Sequence, residues 1–100
     1  MPALAPSLLL TLPNTWIKIC GITRHSDALA ACELGADAIG LVFYPPSPRS
    51  VSVSQIDEIV RDLPATISVV ALFVDPTVEV VNQVIATGMI DLLQFHGEET

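Results

Sequence analysis

Short apolar segments alternate with helical patterns along most of this chain, and that alternation restricts the folds it can adopt more than any other feature. The apolar segments predict four strands, at residues 16–20, 38–43, 67–74 and 90–95. The stretches between them predict three helices, at residues 26–34, from Ser52 or Ser54 to Leu63, and from Pro76 to the residue before Gly88. Connections of this length suit parallel strands joined by crossover helices, so the sequence predicts an α/β fold built from parallel β/α units.

Two architectures share this pattern, the open doubly wound sheet and the closed (β/α)8 barrel. A closed barrel needs about 200 residues or more, whereas this chain has 100 residues. If the fold is a barrel, residues 16–100 therefore form its first half, which stops after the fourth strand. Residues 1–15 hold three prolines and neither Lys nor Arg. They predict a flexible N-terminal extension, with a weak export signal as the alternative.

The charge balance disfavours several classes of protein. Four Lys and Arg residues stand against eleven Asp and Glu residues, a net charge of −7, which argues against binding to nucleic acids or to anionic membranes. Hydrophobic residues make up 51% of the chain, too many for a disordered segment. No run reaches the roughly 18–20 apolar residues of a membrane-spanning helix. Two cysteines make no disulfide framework, so a reducing, cytoplasmic location is expected.

Four chemically versatile residues follow the carboxyl ends of the predicted strands: Cys20, Arg49, Asp75 and His96. In parallel α/β architectures, sites are built at that edge. Cys20 could act as a nucleophile or a proton-transfer base, or be a small buried apolar residue. Arg49, in a loop with three prolines, could hold an anionic ligand through its forked guanidinium, or be a solvated loop cation. His96 is either a site residue or a satisfied loop histidine.

The other candidates have structural interpretations. Asp75 precedes a proline and is predicted to cap the third helix, while Ser26 or Thr23 is predicted to cap the first. Cys32 falls on the apolar face of the first helix, and His25 falls at its start. The inner face of the third helix is predicted to carry Val78, Val81, Val84 and Ile85. The sequence has no metal-ligand spacing, dinucleotide-binding motif or phosphate-binding loop motif.

Several motifs, taken in order, resemble those of one enzyme family. They are KICGIT at residues 18–23, GADAIG at 35–40, FYPPSPR at 43–49, ALFVD at 71–75 and LQFHGE at 93–98. Over about residues 16–100 the sequence resembles the phosphoribosylanthranilate isomerases. The resemblance implies a (β/α)8 barrel and an isomerase of tryptophan biosynthesis. Such an enzyme converts N-(5-phosphoribosyl)anthranilate to 1-(2-carboxyphenylamino)-1-deoxyribulose 5-phosphate by an Amadori rearrangement, without a cofactor.

The same resemblance implies roles for three residues. Cys20 would be the general base, Arg49 would hold the anionic substrate, and His96 would line the same opening. The family's general acid, an aspartate, and its phosphate-binding loops belong to the second half of the barrel, which these residues do not include. The chain is therefore expected to be an N-terminal fragment that is inactive alone. The alternative is a non-catalytic half-barrel that assembles with another chain or with itself. A different phosphate-sugar barrel enzyme would require the KICGIT match to be accidental.

Strand alternation predicts which side chains share a face of the sheet. Lys18 and Cys20 should point the same way, as should Gln94 and His96, and in a barrel all four would face inward. Helices should then cover only the other face. Lys18 also needs a polar or acidic partner, because an unpaired buried ammonium is costly.

Overall fold

The computed structural model describes residues 16–97, which form a four-stranded sheet with helices packed against it. The strands are β1 (Lys18–Cys20), β2 (Ala38–Phe43), β3 (Ser68–Val74) and β4 (Leu92–His96), and the helices are α1 (His25–Glu33), α2 (Ile56–Val60) and α3 (Val78–Ala86). The strand order is β1-β2-β3-β4 and each pairing is parallel. The predicted α/β architecture is confirmed, whereas the predicted extension at residues 1–15 lies outside the described residues. Within residues 16–97, no helix is long and apolar enough to cross a membrane.

The N-termini of α1 and α3 are not capped where the sequence predicted. Arg24 occupies the N-cap of α1 and makes no side-chain capping bond, so the expectation for Thr23 or Ser26 is wrong. Thr77 and not Asp75 caps α3, since its Oγ1 accepts a backbone amide of the first turn at 3.2 Å. Asp75 instead lies in the short connection between the end of β3 at Val74 and the start of α3 at Val78. There it turns the chain with a left-handed φ of 44°.

The second helical segment is shorter in α-helix than predicted. Only Ile56–Val60 is α-helical, and a 3-10 turn, Val53–Gln55, precedes it. The turn starts after Ser52, which is one of the two predicted starting points. The helix ends early because Arg61 is extended, with a ψ of 142°, and Asp62 takes a left-handed φ of 62°. A right-handed helix cannot continue through these two conformations.

The three helices pack on one face of the sheet, as expected for the wall of a barrel. On that face, neighbouring residues of β2 and β3 are buried side by side: Ile39 with Val69, Leu41 with Ala71, and Phe43 with Phe73. The helices add Ala28 and Ala31 from α1, Ile56 and Ile59 from α2, and Val84 from α3. These residues form one apolar cluster, and its burial holds every described helix on the same side of the sheet.

The face that α3 buries differs in part from the prediction. Val84 is fully buried, and Val80 and Val81 pack against the core. Val78 and Ile85, which were predicted to face inward, are 76% and 51% exposed. The buried stripe of α3 follows the i, i+1, i+4 spacing of the other three valines.

Two aspartates fasten the amino ends of neighbouring strands in the same way. Asp37, directly before β2, donates its amide to the Ile17 carbonyl and accepts the Ile17 amide on Oδ2, both at 2.8 Å. Asp91, directly before β4, exchanges the same two bonds with Val69, again at 2.8 Å. This pattern fixes the register of β1 with β2 and of β3 with β4 at the edge opposite the predicted site.

The second face of the sheet, which we call the concave face, carries the alternate side chains of each strand. It comprises Lys18, Cys20, Ala38, Gly40, Val42, Ser68, Val70, Leu72, Val74, Leu92, Gln94 and His96. Nζ of Lys18 on β1 contacts Oε1 of Gln94 on β4, across two intervening strands. Three strand spacings span about 14 Å in a flat sheet, so these side chains meet only because the sheet curves. Gln94 is thus the polar partner that Lys18 was predicted to need.

The helix-side residues of β4 are exposed, because no described helix covers this strand. Leu93 and Phe95 are 38% and 55% exposed. The ring of Phe95 nevertheless stacks on Phe73, with 5.4 Å between the centroids, and Phe73 stacks on Phe43 at 5.5 Å. A row of three aromatic rings therefore runs from β2 to β4, and its last member is open to solvent.

Candidate functional site at the carboxyl edge of the sheet

Cys20 is the last residue of β1 and lies on the concave face, paired with Gly40 of β2. Its Sγ lies over that glycine, because a Cβ added at Gly40 would come within 2.8 Å of the sulfur. Beyond the thiol, the amides of Gly21 and Ile22 both donate to the Gly40 carbonyl, at 3.0 and 3.2 Å. The absence of a side chain at Gly40 thus leaves the space in which the exposed thiol of Cys20 lies.

Arg49 belongs to the proline-rich loop that follows β2, and its side chain reaches back to the end of β1. Its amide donates to the Ser47 hydroxyl at 3.1 Å, which holds the loop in a turn. Gly21, next to Cys20, has a left-handed φ of 84°, and a Cβ there would lie 2.8 Å from Cδ of Arg49. The side chain of Arg49 therefore packs on the residue that adjoins the thiol.

The guanidinium of Arg49 is available to a ligand. Within the described part of the chain, the ion pairs are Arg24 with Asp27 at 3.3 Å and Arg61 with Asp57 at 2.9 Å, and both lie on the exposed side of the helices. No carboxylate among residues 16–97 therefore neutralises Arg49. A free guanidinium at the carboxyl edge of a parallel sheet suits an anionic ligand.

His96 ends β4 on the concave face, the same face as Cys20, but on the strand at the other end of the described sheet. Its Nε2 lies 3.1 Å from Nε2 of Gln94, and Gln94 in turn contacts Lys18. These three side chains, which we call the polar row, cross the concave face and end at its carboxyl edge. The alternation of strand residues predicted their common face, but the contact across four strands could not be read from the sequence.

Asp75 is a neighbour of His96 that sequence reasoning had assigned to a helix cap. Its amide donates to the His96 carbonyl at 3.1 Å. Its carboxylate lies directly against Gly97, where an added Cβ would collide with Oδ1. A glycine directly after the site histidine was the only sequence signal for this close approach.

Cys32 and His25 have structural roles, as predicted. Cys32 packs against the core on the helix side of the sheet. Burial raises the pKa of its thiol, and the negative charge of Glu33 raises it further. His25 is the first residue of α1, and its Nδ1 lies 3.0 Å from the carbonyl of Ile59 in α2. Both side chains therefore belong to the helix layer and not to the concave face.

A cleft of about 780 Å³ opens beside the candidate site. Its walls come from the segment between β2 and α2 and from the start of α3, with Asp75 at its margin. Cys20, Arg49 and His96 do not line it. The structure thus packs Arg49 on Gly21, the residue next to Cys20, and it places His96 on the outermost strand at the other edge of the described sheet.

A curved parallel sheet with helices on one side and polar side chains at the carboxyl edge of the other defines the class of (β/α)-barrel enzymes. Solved structures agree with that assignment. The phosphoribosyl anthranilate isomerase from Thermotoga maritima matches with a TM-score of 0.80 and 40% identity, over 87% of this chain and 42% of that one. Another solved isomerase, in complex with reduced 1-(o-carboxyphenylamino)-1-deoxyribulose 5-phosphate, matches with a TM-score of 0.80 and 40% identity, over 87% and 45% of the two chains.

The family model for N-(5'-phosphoribosyl)anthranilate isomerase matches residues 17–100. The chain therefore belongs to the phosphoribosylanthranilate isomerase family, as its motifs predicted. The isomerase of Nitrosococcus oceani is 56% identical over 87 residues, which cover 87% of this chain and 42% of that relative. The chain thus spans about two-fifths of the length of the curated relatives that it matches.

Proposed function

We propose that this chain supplies the first half of a phosphoribosylanthranilate isomerase, an enzyme of tryptophan biosynthesis. Its substrate would be N-(5-phosphoribosyl)anthranilate, and its product 1-(2-carboxyphenylamino)-1-deoxyribulose 5-phosphate. The observation that carries the proposal is the packing of Arg49 on Gly21, directly beside Cys20, in a chain of this family. This packing supports the proposal that Cys20 accepts a proton from a substrate whose carboxylate Arg49 binds.

The rearrangement requires an acid and a base. Protonation of the ribose ring oxygen opens the ring and leaves a protonated Schiff base at C1′. Removal of the C2′ proton then gives an enolamine, which becomes the ketone when C1′ gains a proton and the C2′ hydroxyl loses one. Cys20 is the proposed base, because its exposed thiol lies on the concave face and thiols titrate close enough to neutrality to exchange protons. The acid would come from the remaining units of the barrel.

Arg49 and His96 are the proposed substrate-binding residues. The forked guanidinium of Arg49 can donate two parallel hydrogen bonds to the anthranilate carboxylate, a geometry that a lysine could not offer. His96 stands at the carboxyl end of β4, where it can bond to an oxygen of the ribulose part. Each residue has a polar group free of other described partners, which is what a ligand-binding side chain needs.

The base is tested by turnover of residues 1–100 mixed with the later barrel units of the Nitrosococcus oceani relative. Substrate fluorescence reports turnover in this assay. We expect Cys20→Ser to lower kcat by about 10²–10⁴-fold, because a serine hydroxyl is far too weakly acidic to replace the thiol. Cys32→Ser is the matched control and should retain activity, since Cys32 lies in the helix layer. A Cys20→Ser enzyme of normal rate would remove Cys20 from the mechanism.

A second candidate function is a non-catalytic half-barrel that assembles with another chain or with itself. The exposed apolar side chains at both edges of the sheet favour it: Trp16 and Ile17 beside β1, and Leu93 and Phe95 on β4. Turnover in the mixture would support the isomerase, whereas a stable self-association without any turnover would support the second candidate. In either case the cytoplasm is the proposed location, because a reducing compartment keeps both cysteines as free thiols.

A further inference from the structure

The polar row has a fixed direction of hydrogen bonding, which starts at Lys18. An ammonium group has three donors and no acceptor, so it can meet only the carbonyl oxygen of the Gln94 amide. The amide nitrogen of Gln94 then faces His96, 3.1 Å from Nε2. Because an amide NH2 group only donates, Nε2 of His96 must present its lone pair and cannot carry a proton.

We infer that Gln94 is a positioning residue that holds His96 as its neutral Nδ1–H tautomer. The opposite amide orientation is unfavourable, because it would turn the NH2 donors of Gln94 toward the ammonium of Lys18. Lys18 therefore determines the orientation of Gln94, and Gln94 determines which ring nitrogen of His96 holds the proton.

The remaining neighbour of His96 leaves this assignment unchanged. The backbone amide of Asp75 donates to the His96 carbonyl, and the carboxylate of Asp75 packs against Gly97. Among residues 16–97, the His96 ring bonds only to Gln94. The Nδ1–H group is thus a free donor at the carboxyl edge of the concave face.

In this tautomer, Nδ1 of the histidine can donate a hydrogen bond to a ligand but cannot accept one. It selects an oxygen acceptor, such as a hydroxyl, ring or phosphate oxygen of a sugar phosphate, over a ligand that offers a donor at the same point. This last step rests on the proposed function, whereas the tautomer follows from the three side chains alone.

The tautomer is tested by long-range ¹H–¹⁵N correlation spectra of the histidine rings in the ¹⁵N-labelled chain, in alkaline buffer where imidazole is neutral. We expect His96 to have a protonated Nδ1 and a bare Nε2, the reverse of the form that free histidine favours in water. His25 is an internal reference, because its Nδ1 faces the Ile59 carbonyl and it has no contact with the polar row.

Two variants probe the row. In Gln94→Glu the carboxylate replaces the donor with an acceptor, so the proton of His96 should move to Nε2 while the signals of His25 stay unchanged. Lys18→Met removes the donor that orients the amide and should give a mixture of tautomers at His96. A majority of Nε2–H at His96 in the unaltered chain would overturn the inference, as would a Gln94→Glu spectrum with Nδ1 still protonated.

The role toward the ligand is tested separately, in the reconstituted enzyme. Loss of the free donor in Gln94→Glu should lower kcat/KM by about 10- to 100-fold. Undiminished kcat/KM with a reversed tautomer would refute the role of the Nδ1–H group in binding. If the reconstituted enzyme with the unsubstituted chain had no turnover, the proposed function would be refuted. The tautomer assignment would not be affected by that result.

Discussion

Gly40 controls the position of the Cys20 thiol more directly than any other described residue. A Cβ at Gly40 would lie 2.8 Å from Sγ and 3.3 Å from Cα of Cys20. Its backbone is ordinary strand, so an alanine would bring no backbone strain of its own. The glycine is therefore required by the neighbouring side chain and not by the conformation of the strand.

We predict that Gly40→Ala displaces the thiol and lowers kcat/KM of the reconstituted enzyme by about 100-fold, since a shift near 1 Å can cost that much. Gly35→Asn is the control, because nothing lies within 4 Å of a Cβ there and Asn tolerates its left-handed φ of 92°. Steady-state kinetics and the rate of Cys20 alkylation measure the effect. Equal kinetics for the two variants would mean that Sγ does not need its place over Gly40.

The sequence predicted the positions of the candidate site residues better than it predicted their contacts. A thiol and an arginine after successive strands predicted the carboxyl edge as the location of Cys20 and Arg49. Their contact through Gly21 depends on a left-handed φ and on the path of a proline-rich loop, and neither has a periodic signal in the sequence. Gln94 was placed on the correct face by alternation, but its bonds depend on the curvature of the sheet.

At the scale of elements, the two aspartates before β2 and β4 are the most specific connections between strands. Each accepts a strand amide on its carboxylate and donates its own amide to the same residue. Both lie at the amino edge, where side chains of a parallel barrel serve stability rather than chemistry. No sequence pattern singled them out, because an aspartate before a strand is ordinarily interpreted as part of a turn.

Asp91→Ala should lower the free energy of unfolding by about 1–2 kcal/mol, because it removes a charged acceptor from the amide of the buried residue Val69. Asp57→Ala is the matched control, since it removes an exposed ion pair with Arg61 that should contribute about 0.5 kcal/mol or less. Urea unfolding followed by circular dichroism gives both values. A loss for Asp91→Ala no larger than for Asp57→Ala would argue against a stabilising role for the aspartate.

The helices differ from their predicted form where tertiary packing outweighs local pattern. Apolar spacing located all three segments correctly. It could not predict that Val78 and Ile85 are exposed, because the buried face of α3 depends on how the helix packs on the sheet. The early end of α2 likewise depends on the conformations of Arg61 and Asp62, which the residue types did not indicate.

For the whole molecule, the parallel direction of the strands followed from periodicity, because crossover helices between successive strands leave few alternatives. The choice between an open sheet and a barrel did not follow from periodicity. Packing of the helices on a single face decides it, together with the solved isomerases that the fold matches. In the sequence, that choice depended on the resemblance of the motifs.

A polypeptide of residues 1–100 should have no measurable turnover by itself. The proposed base is present, but loss of a general acid alone costs about 10²–10⁴-fold in rate. Its open edges should bind a hydrophobic dye, since Phe95 is 55% exposed. Adding the later barrel units should restore turnover and quench the dye together. Turnover by the polypeptide alone, at the rate of the mixture, would refute the need for those units.

The contact of Lys18 with Gln94 ties the two outermost strands of the sheet to each other. Because these side chains can meet only in a curved sheet, the curvature is already present among the described residues of this chain. If further strands pair with β1 and β4, as the proposed function requires, they meet a sheet that is already curved, and less conformational freedom is lost when the two surfaces dock. We therefore expect strands whose number and tilt match this curvature to assemble faster than strands that do not match it.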